Sequence, residues 1–455
     1  MNIIINGFHD PRQASIITDL ILHFKCEKAC VVLAQPTLQQ SSTVKILLVK
    51  DIIAGDYGSF SERPLSTELL DYIQPLFPNL LNMTTRFEVY QKRHLAFEER
   101  KRILYGHLSF WYNYFQEVDV GFYISANIPH DIYDYAILVI ADFFKKTKKL
   151  YFYQSNFRDI VIPMADFEEQ NPCLRDLYHS TTTESVSGEV KLHELAEIEW
   201  DLETRSEVPF YMRPQRRRVS TYLKKVNALG PDAALKMLYW FRCKQLRRNY
   251  SRVSSPPDLS KKYIYMPLHY QPELTTCPLG GPLNDQYLII RLIDSLLPDD
   301  MYLYVKEHPK QLFAHRYLDY YHDILRETKR TSFVSASCPS PRLIEHSAAV
   351  ATVTGTAGWE ALFKKKPVLL FGYIFYQFAP GVFHITDTQK CAESIAAIAR
   401  DGFHYDERRL KLFLNCVVDT SIHGFSDELY AAQSKFTFAE SNRNMIEYMK
   451  RAALV

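Results

Sequence analysis

Two short polar stretches in the second half of the chain have the residue types that bind a phosphate group. Lys306–Pro309 brings a fixed positive charge and an imidazole directly after the apolar run Tyr302–Val305. Thr354–Gly358 consists of small and hydroxyl-bearing residues, so a ligand can approach its backbone amides. A helix predicted to open at Trp359 adds unpaired N–H groups and the positive end of its dipole. Together these stretches favour a nucleotide mono- or diphosphate bound without a metal.

The apolar runs around these stretches predict a parallel sheet. Ala348–Val353 and Pro367–Phe371 flank the second stretch in the order strand, loop, helix, strand. Ligands of such sheets bind outside the carboxyl ends of the strands, where both stretches fall. Either stretch alone is common in α/β proteins, and only their combination, with Glu360 as a carboxylate for the ribose hydroxyls, favours a nucleotide. The predicted nucleotide-binding residues are Lys306, His308, Pro309, Thr354, Gly355, Thr356, Ala357, Gly358 and Glu360.

The segments around these stretches resemble a known family. Lys306–Pro309, with Tyr263–Glu273 upstream and Thr354–Leu362 downstream, is similar to the bacterial capsular polysaccharide synthesis family, which includes retaining β-Kdo and related nonulosonic acid transferases. The His-Pro pair and the Ser/Thr loop are also similar to motifs of bacterial sialyltransferases, which use CMP-sugars. The resemblance implies a CMP-sugar glycosyltransferase with an α/β, GT-B-like fold. In that fold two Rossmann-type domains face a central cleft, and the C-terminal helix crosses back to the first domain.

The resemblance also implies which groups are catalytic. Glu273, at a strand end of the second domain, is our candidate for the carboxylate near the anomeric carbon; if it bonds covalently, two inversions give net retention. Asp131 follows His130 after the predicted strand Val120–Ile124, where the family carries an acidic residue on the acceptor side. We predict Asp131 as the general base on the acceptor hydroxyl, with His130 beside it. A structural salt bridge for Glu273 and a helix cap for Asp131 are the alternatives.

Composition excludes several classes of protein. The net charge is only +2 over 455 residues, so the charge of the chain as a whole does not indicate nucleic-acid binding. Eight scattered cysteines without a Cys-x-x-Cys pair predict reduced thiols in a reducing compartment. The opening Met1–Asp10 has no basic and apolar targeting signal, and no apolar run approaches the roughly 20 residues of a membrane helix. We therefore expect a cytoplasmic protein. The resemblance implies a CMP-sugar as its substrate, and we expect no metal and no further cofactor.

Four segments are predicted along the chain. They are an acceptor-binding Rossmann-like domain with helical insertions (1–212), a basic helical linker (213–257), a CMP-sugar-binding Rossmann-like domain (258–425) and a helix packing on the first domain (426–455). Within the first domain, the polar stretch 168–207 is predicted to form loops and short helices over the cleft. Arg213–Arg252 mixes basic and apolar residues at helical spacing. It predicts either contact with an anionic membrane surface, peripheral to the inner membrane, or a solvated linker.

Three functions fit these residues. The favoured one is transfer of Kdo or a related nonulosonic acid of pseudaminic, legionaminic or sialic type, with retention, from its CMP form to a glycan or lipid-linked glycan acceptor. The product would be a capsule, an O-antigen or another surface polysaccharide. The second is CDP-alcohol transfer, as in teichoic acid polymerases, which are expected to lack the Gln271–Glu273 element. The third is a non-catalytic capsule assembly or export protein that binds finished glycan. Lys310 and Arg342 are weak candidates for the cation that a sugar carboxylate requires.

Overall fold

The structure is a computed structural model of the chain. It describes residues 1–56, 64–91, 93–183, 189–204, 233–271, 273–309, 311, 316–401, 403 and 405–452.

Strands and helices alternate along most of the described chain. The strands are β1 (Asn2–Asn6), β2 (Ala29–Leu33), β3 (Val44–Leu48), β4 (Val120–Ser125), β5 (Lys148–Gln154), β6 (Ile160–Met164), β7 (Ser254–Ser255), β8 (Lys262–Pro267), β9 (Met301–Lys306), β10 (Thr331–Val334), β11 (Ala349–Thr352), β12 (Val368–Leu370), β13 (Val382–His384) and β14 (Ile422–His423). The α-helices are α1 (Ala14–His23), α2 (Val49–Ala54), α3 (Thr67–Ile73), α4 (Phe77–Met83), α5 (Arg86–Gln91), α6 (Phe97–Glu117), α7 (Ile132–Phe144), α8 (Pro172–Thr183), α9 (Glu194–Thr204), α10 (Ala233–Val253), α11 (Gln286–Leu296), α12 (Tyr320–Glu327), α13 (Ser340–His346), α14 (Thr356–Phe363), α15 (Thr388–Asp401), α16 (Glu407–Asp419) and α17 (Phe438–Ala452).

The first domain is built on a seven-stranded sheet in the order β14-β6-β5-β4-β1-β2-β3. The central pairs are parallel, for example β1 with β2 and with β4, whereas β6 pairs antiparallel with β5 and with β14. Ile3–Ile5 of β1 are all buried, which is typical of a strand covered on both faces by helices. The sheet therefore has the Rossmann-type arrangement predicted from the sequence, with an antiparallel edge that the sequence did not indicate.

The second domain is built on a seven-stranded sheet in the order β13-β12-β11-β8-β9-β10-β7. All of its strand pairs are parallel. The chain order runs from β8 outward to β9 and β10, and then returns to β11 on the other side of β8. The point where the order reverses therefore lies between β8 and β11, and a crevice for a ligand is expected outside the carboxyl ends of those two strands.

The C-terminal segment returns to the first domain. Strand β14 joins the first sheet beside β6, α16 packs on α8 and α9, and α17 packs on α1. The GT-B-like α/β fold predicted from the sequence, including the crossing C-terminal helix, is confirmed. No helix within the described ranges is both long enough and apolar enough to cross a bilayer.

The stretch 168–207 is more regular than predicted. It contains the 12-residue helix α8 and the 11-residue helix α9. Both pack against α16, so they form a layer that joins the returning C-terminal segment to the first domain. The stretch was predicted to form loops and short helices, but it forms two helices of 12 and 11 residues. Their length was not predicted because the stretch has a polar composition. Residues 205–232, which include the first half of the predicted basic helix, lie outside the described residues.

Candidate functional site

A buried histidine joins β8 to β11 at the point where the strand order reverses. His269 Nε2 lies 3.1 Å from the Val353 amide nitrogen, which donates to it, and 3.0 Å from Thr352 Oγ1. Burial lowers the pKa of His269 to about 3, so the ring is neutral and its proton is on Nδ1. A Cβ added to Gly355 would lie 2.8 Å from Thr352 Oγ1 and 3.0 Å from His269 Cε1, so this close packing requires glycine. Sequence reasoning gave His269 no role.

Helix α14 begins at Thr356, three residues earlier than predicted. The amide of Gly355, the N-cap residue, donates to Thr352 Oγ1 at the end of β11 (2.9 Å). Thr356, Ala357 and Gly358 therefore form the first turn of the helix rather than a loop. The first turn of a helix generally has backbone N–H groups without an intrahelical partner, so this strand end keeps the capacity to bind an anion.

Thr354 does not have the free hydroxyl that was predicted. It is buried, and its hydroxyl donates to the Thr275 carbonyl at 2.6 Å. This bond ties the β11 loop to the segment that follows Glu273. The role of Thr354 as a hydroxyl donor to the phosphate is therefore corrected to a structural one.

Glu360 lies in a group of carboxylates with raised pKa values. Burial raises the pKa of Glu360 to about 7, and Lys364 and the Thr356 hydroxyl oppose the shift. Burial and the charges of Glu199 and Glu360 raise the pKa of Glu203 to about 9. Glu199 accepts a hydrogen bond from the Trp359 indole at 2.9 Å, so it is part of the packing between α9 and α14.

Lys306 lies mostly within the protein. Its ammonium donates to the Cys338 carbonyl (2.6 Å) and to Ser340 Oγ (3.1 Å), and desolvation by burial lowers its pKa. Two of its three donors therefore hold the turn between β10 and α13. Pro309, three residues after the end of β9, is exposed.

His308 is held in place by a buried ion pair beneath it. Its backbone amide donates to Glu307 Oε1 at 2.8 Å, and Glu307 Oε2 lies 3.2 Å from Arg316 Nε. Tyr321 donates its hydroxyl to the same carboxylate at 2.7 Å. The partly exposed His308 ring lies 5.7 Å from the Tyr270 ring, so it faces the segment that carries Glu273.

The same network holds the Gln271–Glu273 element. Gln311 binds both backbone groups of Gln271, with Oε1 accepting from the amide (2.9 Å) and Nε2 donating to the carbonyl (3.3 Å). Arg316 donates to the Gln271 side-chain oxygen. Arg316 therefore connects the His308 turn with the turn of the predicted catalytic carboxylate. Pro272 and Lys310 lie outside the described residues.

A cavity of about 520 Å³ lies between the two domains. The first domain contributes Arg86, Asn127 and His130, and the second contributes Tyr270 and Glu273. The structure therefore brings together two of the predicted catalytic residues, His130 and Glu273, from opposite sides of the cleft. Asp427 and Tyr430 of the returning C-terminal segment complete the wall.

His130 has a fixed protonation state. Its Nδ1 lies 2.7 Å from the Ile128 carbonyl, which can only accept, so Nδ1 carries the proton and Nε2 keeps its lone pair. Burial and the neighbouring Arg86 charge lower the pKa of His130 to about 4. The ring is therefore neutral near pH 7, with one nitrogen able to accept a proton.

Asp131 is not among the residues that line the cavity. Its carboxylate lies 3.3 Å from Arg86 Nη1, and although it is the N-cap residue of α7 its side chain makes no capping bond. Arg86 itself is buried, and its Nη2 has no hydrogen-bond partner among the described residues. Arg342 is exposed and does not line this cavity. Arg86 is thus a cleft cation that the sequence did not single out.

Residues 277–413 match the family model described as "Capsule polysaccharide biosynthesis protein". The capsule-synthesis segment contains β9, β11 and α14, and therefore the His308 turn and the Thr354–Gly358 stretch. The resemblance predicted from the sequence is confirmed for this segment, which is similar to a capsule polysaccharide biosynthesis family.

Solved structures with a similar fold come from several glycan-related proteins. A β-Kdo 2,7 transferase, KpsC of Thermosulfurimonas dismutans, is 10% identical, with 74% of this chain and 88% of that chain covered and a TM-score of 0.33. A glycosyltransferase from Rickettsia africae is 9% identical, with 100% and 98% covered and a TM-score of 0.29. The UDP-GlcNAc 2-epimerase of Methanocaldococcus jannaschii is 11% identical, with 92% and 98% covered and a TM-score of 0.28. No curated protein matches the chain. Because these TM-scores are low, the function proposed below draws on the family match and on the residues of the cleft.

Proposed function

We propose that the protein is a glycosyltransferase of capsule or other surface polysaccharide synthesis that transfers Kdo or a related nonulosonic acid from its CMP-activated form to a glycan acceptor. The observation that carries the proposal is the interdomain cavity, where His130 and Glu273 come from opposite domains beside the His308 turn. A transferase needs this arrangement because donor and acceptor must meet between groups with different chemical tasks.

The cytidylate leaving group is assigned to the carboxyl ends of β9 and β11. His308 and the first turn of α14 supply an imidazole and backbone amides held by rigid elements. Preorganised donors of this kind stabilise the charge that develops on a departing phosphate. Glu360 stays assigned to the ribose. In its ionised form its carboxylate would accept hydrogen bonds from the ribose hydroxyls.

Glu273 is assigned to the anomeric carbon. A carboxylate there either stabilises an oxocarbenium-like transition state or bonds to the sugar, and the bonded form gives a retaining outcome. The pKa of Tyr270 is raised by burial and by the charge of Glu273, while Arg86 opposes the shift. Both charged groups therefore act on the same part of the cleft. Arg86 is assigned to the carboxylate of the sugar, in preference to Lys310 or Arg342, because it is a cavity-lining cation with an unpartnered nitrogen.

His130 is assigned as the general base in preference to Asp131. Its Nε2 keeps a lone pair in a neutral ring that lines the cavity, whereas the Asp131 carboxylate pairs with Arg86. Asp131 then positions Arg86 and does not itself accept the proton of the acceptor hydroxyl. A neutral histidine within reach of the nucleophile is a common general base.

Helix α10 is assigned to an anionic membrane surface. Its outer face exposes Leu238, Trp240 and Phe241, together with the basic residues Lys244 and Arg248. Apolar and basic residues on one exposed helix are typical of interfacial binding, which suits a lipid-linked acceptor. Replacing Trp240 and Phe241 by Ser should reduce co-sedimentation with phosphatidylglycerol vesicles. Equal sedimentation of the variant and the wild type would contradict this assignment.

Hydrolysis and transfer with a panel of CMP-sugars and CDP-alcohols, read by mass spectrometry, test the proposed activity. We expect turnover of a CMP-nonulosonic acid or CMP-Kdo and none of a CDP-alcohol. Glu273→Gln should keep CMP affinity and lose transfer. Turnover of a CDP-alcohol alone, or full transfer by Glu273→Gln, would contradict the proposal.

A further inference from the structure

A second cavity lies beside the segment that carries Glu273. Its volume is about 540 Å³, and it is lined by Arg100 of α6, by Arg242 of α10 and by residues of the second domain. The second domain contributes Gln271, whose neighbour Tyr270 lines the first cavity. The two cavities are therefore lined by alternating residues of the same short segment.

Three donors at this cavity have no hydrogen-bond partner. Arg100 Nε and Arg242 Nε are buried, and neither atom has an acceptor among the described residues. The Tyr320 side chain is only 5% exposed, and its hydroxyl has no partner either. Buried donors are normally paired, so a group of them beside one cavity points to an acceptor that enters from outside the chain.

The carboxylates of the same cavity already have partners. Glu88 accepts from the Leu95 amide and from His94, each at 3.0 Å, and Asp285 accepts from the Tyr287 amide at 2.9 Å. The third cation of the wall, Arg316, is paired with Glu307. Arg100 Nε and Arg242 Nε are therefore the charge-assisted donors of this wall that have no acceptor among the described residues, which favours a ligand with an acceptor such as a carboxylate or phosphate.

The remaining wall suits a sugar ring. Tyr287, Tyr317 and Tyr320 contribute aromatic surface, and Gln271 and Asn284 contribute amides that can bind hydroxyls. Guanidinium groups bind carboxylates and phosphates through parallel hydrogen bonds. Arg100 and Arg242 therefore suit a sugar that carries a carboxylate or a phosphate group.

We propose that this cavity binds an acidic sugar unit of the acceptor glycan, with its carboxylate or phosphate ester held by Arg100 and Arg242. The inference rests on the proposed function, since it assigns the cavity to the acceptor. None of His308, Thr354–Gly358 or Glu360 lines it, so its ligand is distinct from the donor nucleotide. A ligand bound there would contact Gln271, the neighbour of the first-cavity residue Tyr270.

Calorimetry or saturation-transfer NMR with simple sugars tests the proposal. The probes are D-glucuronate, D-glucose 6-phosphate, neutral D-glucose and inorganic phosphate. We expect the full-length protein to bind one or both acidic sugars more tightly than glucose and than inorganic phosphate. Arg100→Gln and Arg242→Gln should each weaken that binding at least about tenfold, because each removes a charge-assisted hydrogen bond.

Arg102→Gln is the matched control, because Arg102 is exposed on the same helix as Arg100 and lines neither cavity. Equal affinity for glucose and the acidic sugars would overturn the inference, as would unchanged binding in both cavity variants or an equal loss in the control. Tighter binding of inorganic phosphate than of glucose 6-phosphate would overturn the sugar assignment. CMP affinity, measured separately on each variant, reports on the donor site. A failure of the proposed function is therefore distinguishable from a failure of the acidic-sugar assignment.

Discussion

The buried pair Glu307–Arg316 supports both halves of the proposed donor site, and Arg316→Met removes that support. Arg316 and Glu307 have only 3% and 1% of their side chains exposed. In the variant, Glu307 keeps its hydrogen bonds from the His308 amide and the Tyr321 hydroxyl but loses its cationic partner. Removing one partner of a buried pair typically costs about 3–5 kcal/mol, because the remaining charge stays buried.

This loss is large beside the stability of a typical protein, about 5–15 kcal/mol, so the variant should fold but unfold at a clearly lower urea concentration. The double variant Glu307→Gln/Arg316→Met leaves no buried charge and should regain part of the loss. Transfer activity should stay low in both variants, because the Gln271 side chain has lost its donor in each.

Urea unfolding followed by circular dichroism measures these effects. Arg326→Met is the matched control, since Arg326 is 73% exposed and, among the described residues, pairs with Asp323 alone, one helical turn away. Exposed pairs contribute about 0–1 kcal/mol, so the control should unfold close to the wild type. A single variant as stable as the control, or a double variant less stable than the single one, would refute the reasoning.

Further predictions concern the strand-end loop, the carboxylate group and the cleft base. Gly355→Ala should destabilise the protein by about 1–3 kcal/mol and weaken CMP binding, because its Cβ meets Thr352 Oγ1 at 2.8 Å; unchanged thermal unfolding would contradict this. Glu360 has a folded pKa raised to about 7 from an ordinary 4.5, so the folded state holds its proton more tightly and stability should fall as pH rises between those values. Glu360→Gln should therefore flatten this decline in unfolding midpoints from pH 4.5 to 7, and a variant that declines as steeply as the wild type would count against it. His130→Gln should lower kcat and leave CMP affinity unchanged, whereas equal turnover would return the role of base to Asp131.

The strand ends could be predicted from the sequence because their signals are local. Apolar runs before Lys306 and Thr354 identify parallel strands, and parallel strands bring their carboxyl ends to one edge of the sheet. The sequence also predicts functional positions for His130 and Glu273, because each lies a few residues after an apolar strand. The segment boundaries predicted at 212, 257 and 425 stay predictions.

The supporting residues could not be predicted, because their partners are distant in the sequence. Arg86 meets Asp131, Arg316 meets Gln271, and His269 meets Thr352 only after the sheets have formed. A single arginine or histidine without a periodic pattern carries no signal of such contacts. The start of α14 was misplaced because Gly358 indicates a loop, whereas in the fold it packs under the Tyr376 hydroxyl within the first turn of the helix.

Calorimetric titration of CMP tests the cytidylate site most directly. We predict binding at one site in the wild type, affinity reduced at least about tenfold in His308→Ala because a donor to the phosphate is lost, and unchanged affinity in His322→Ala, whose exposed ring lies on α12. No binding of CMP by the wild type, or equal affinity in His308→Ala, would contradict the assignment of the His308 turn and the α14 N-terminus to the leaving group.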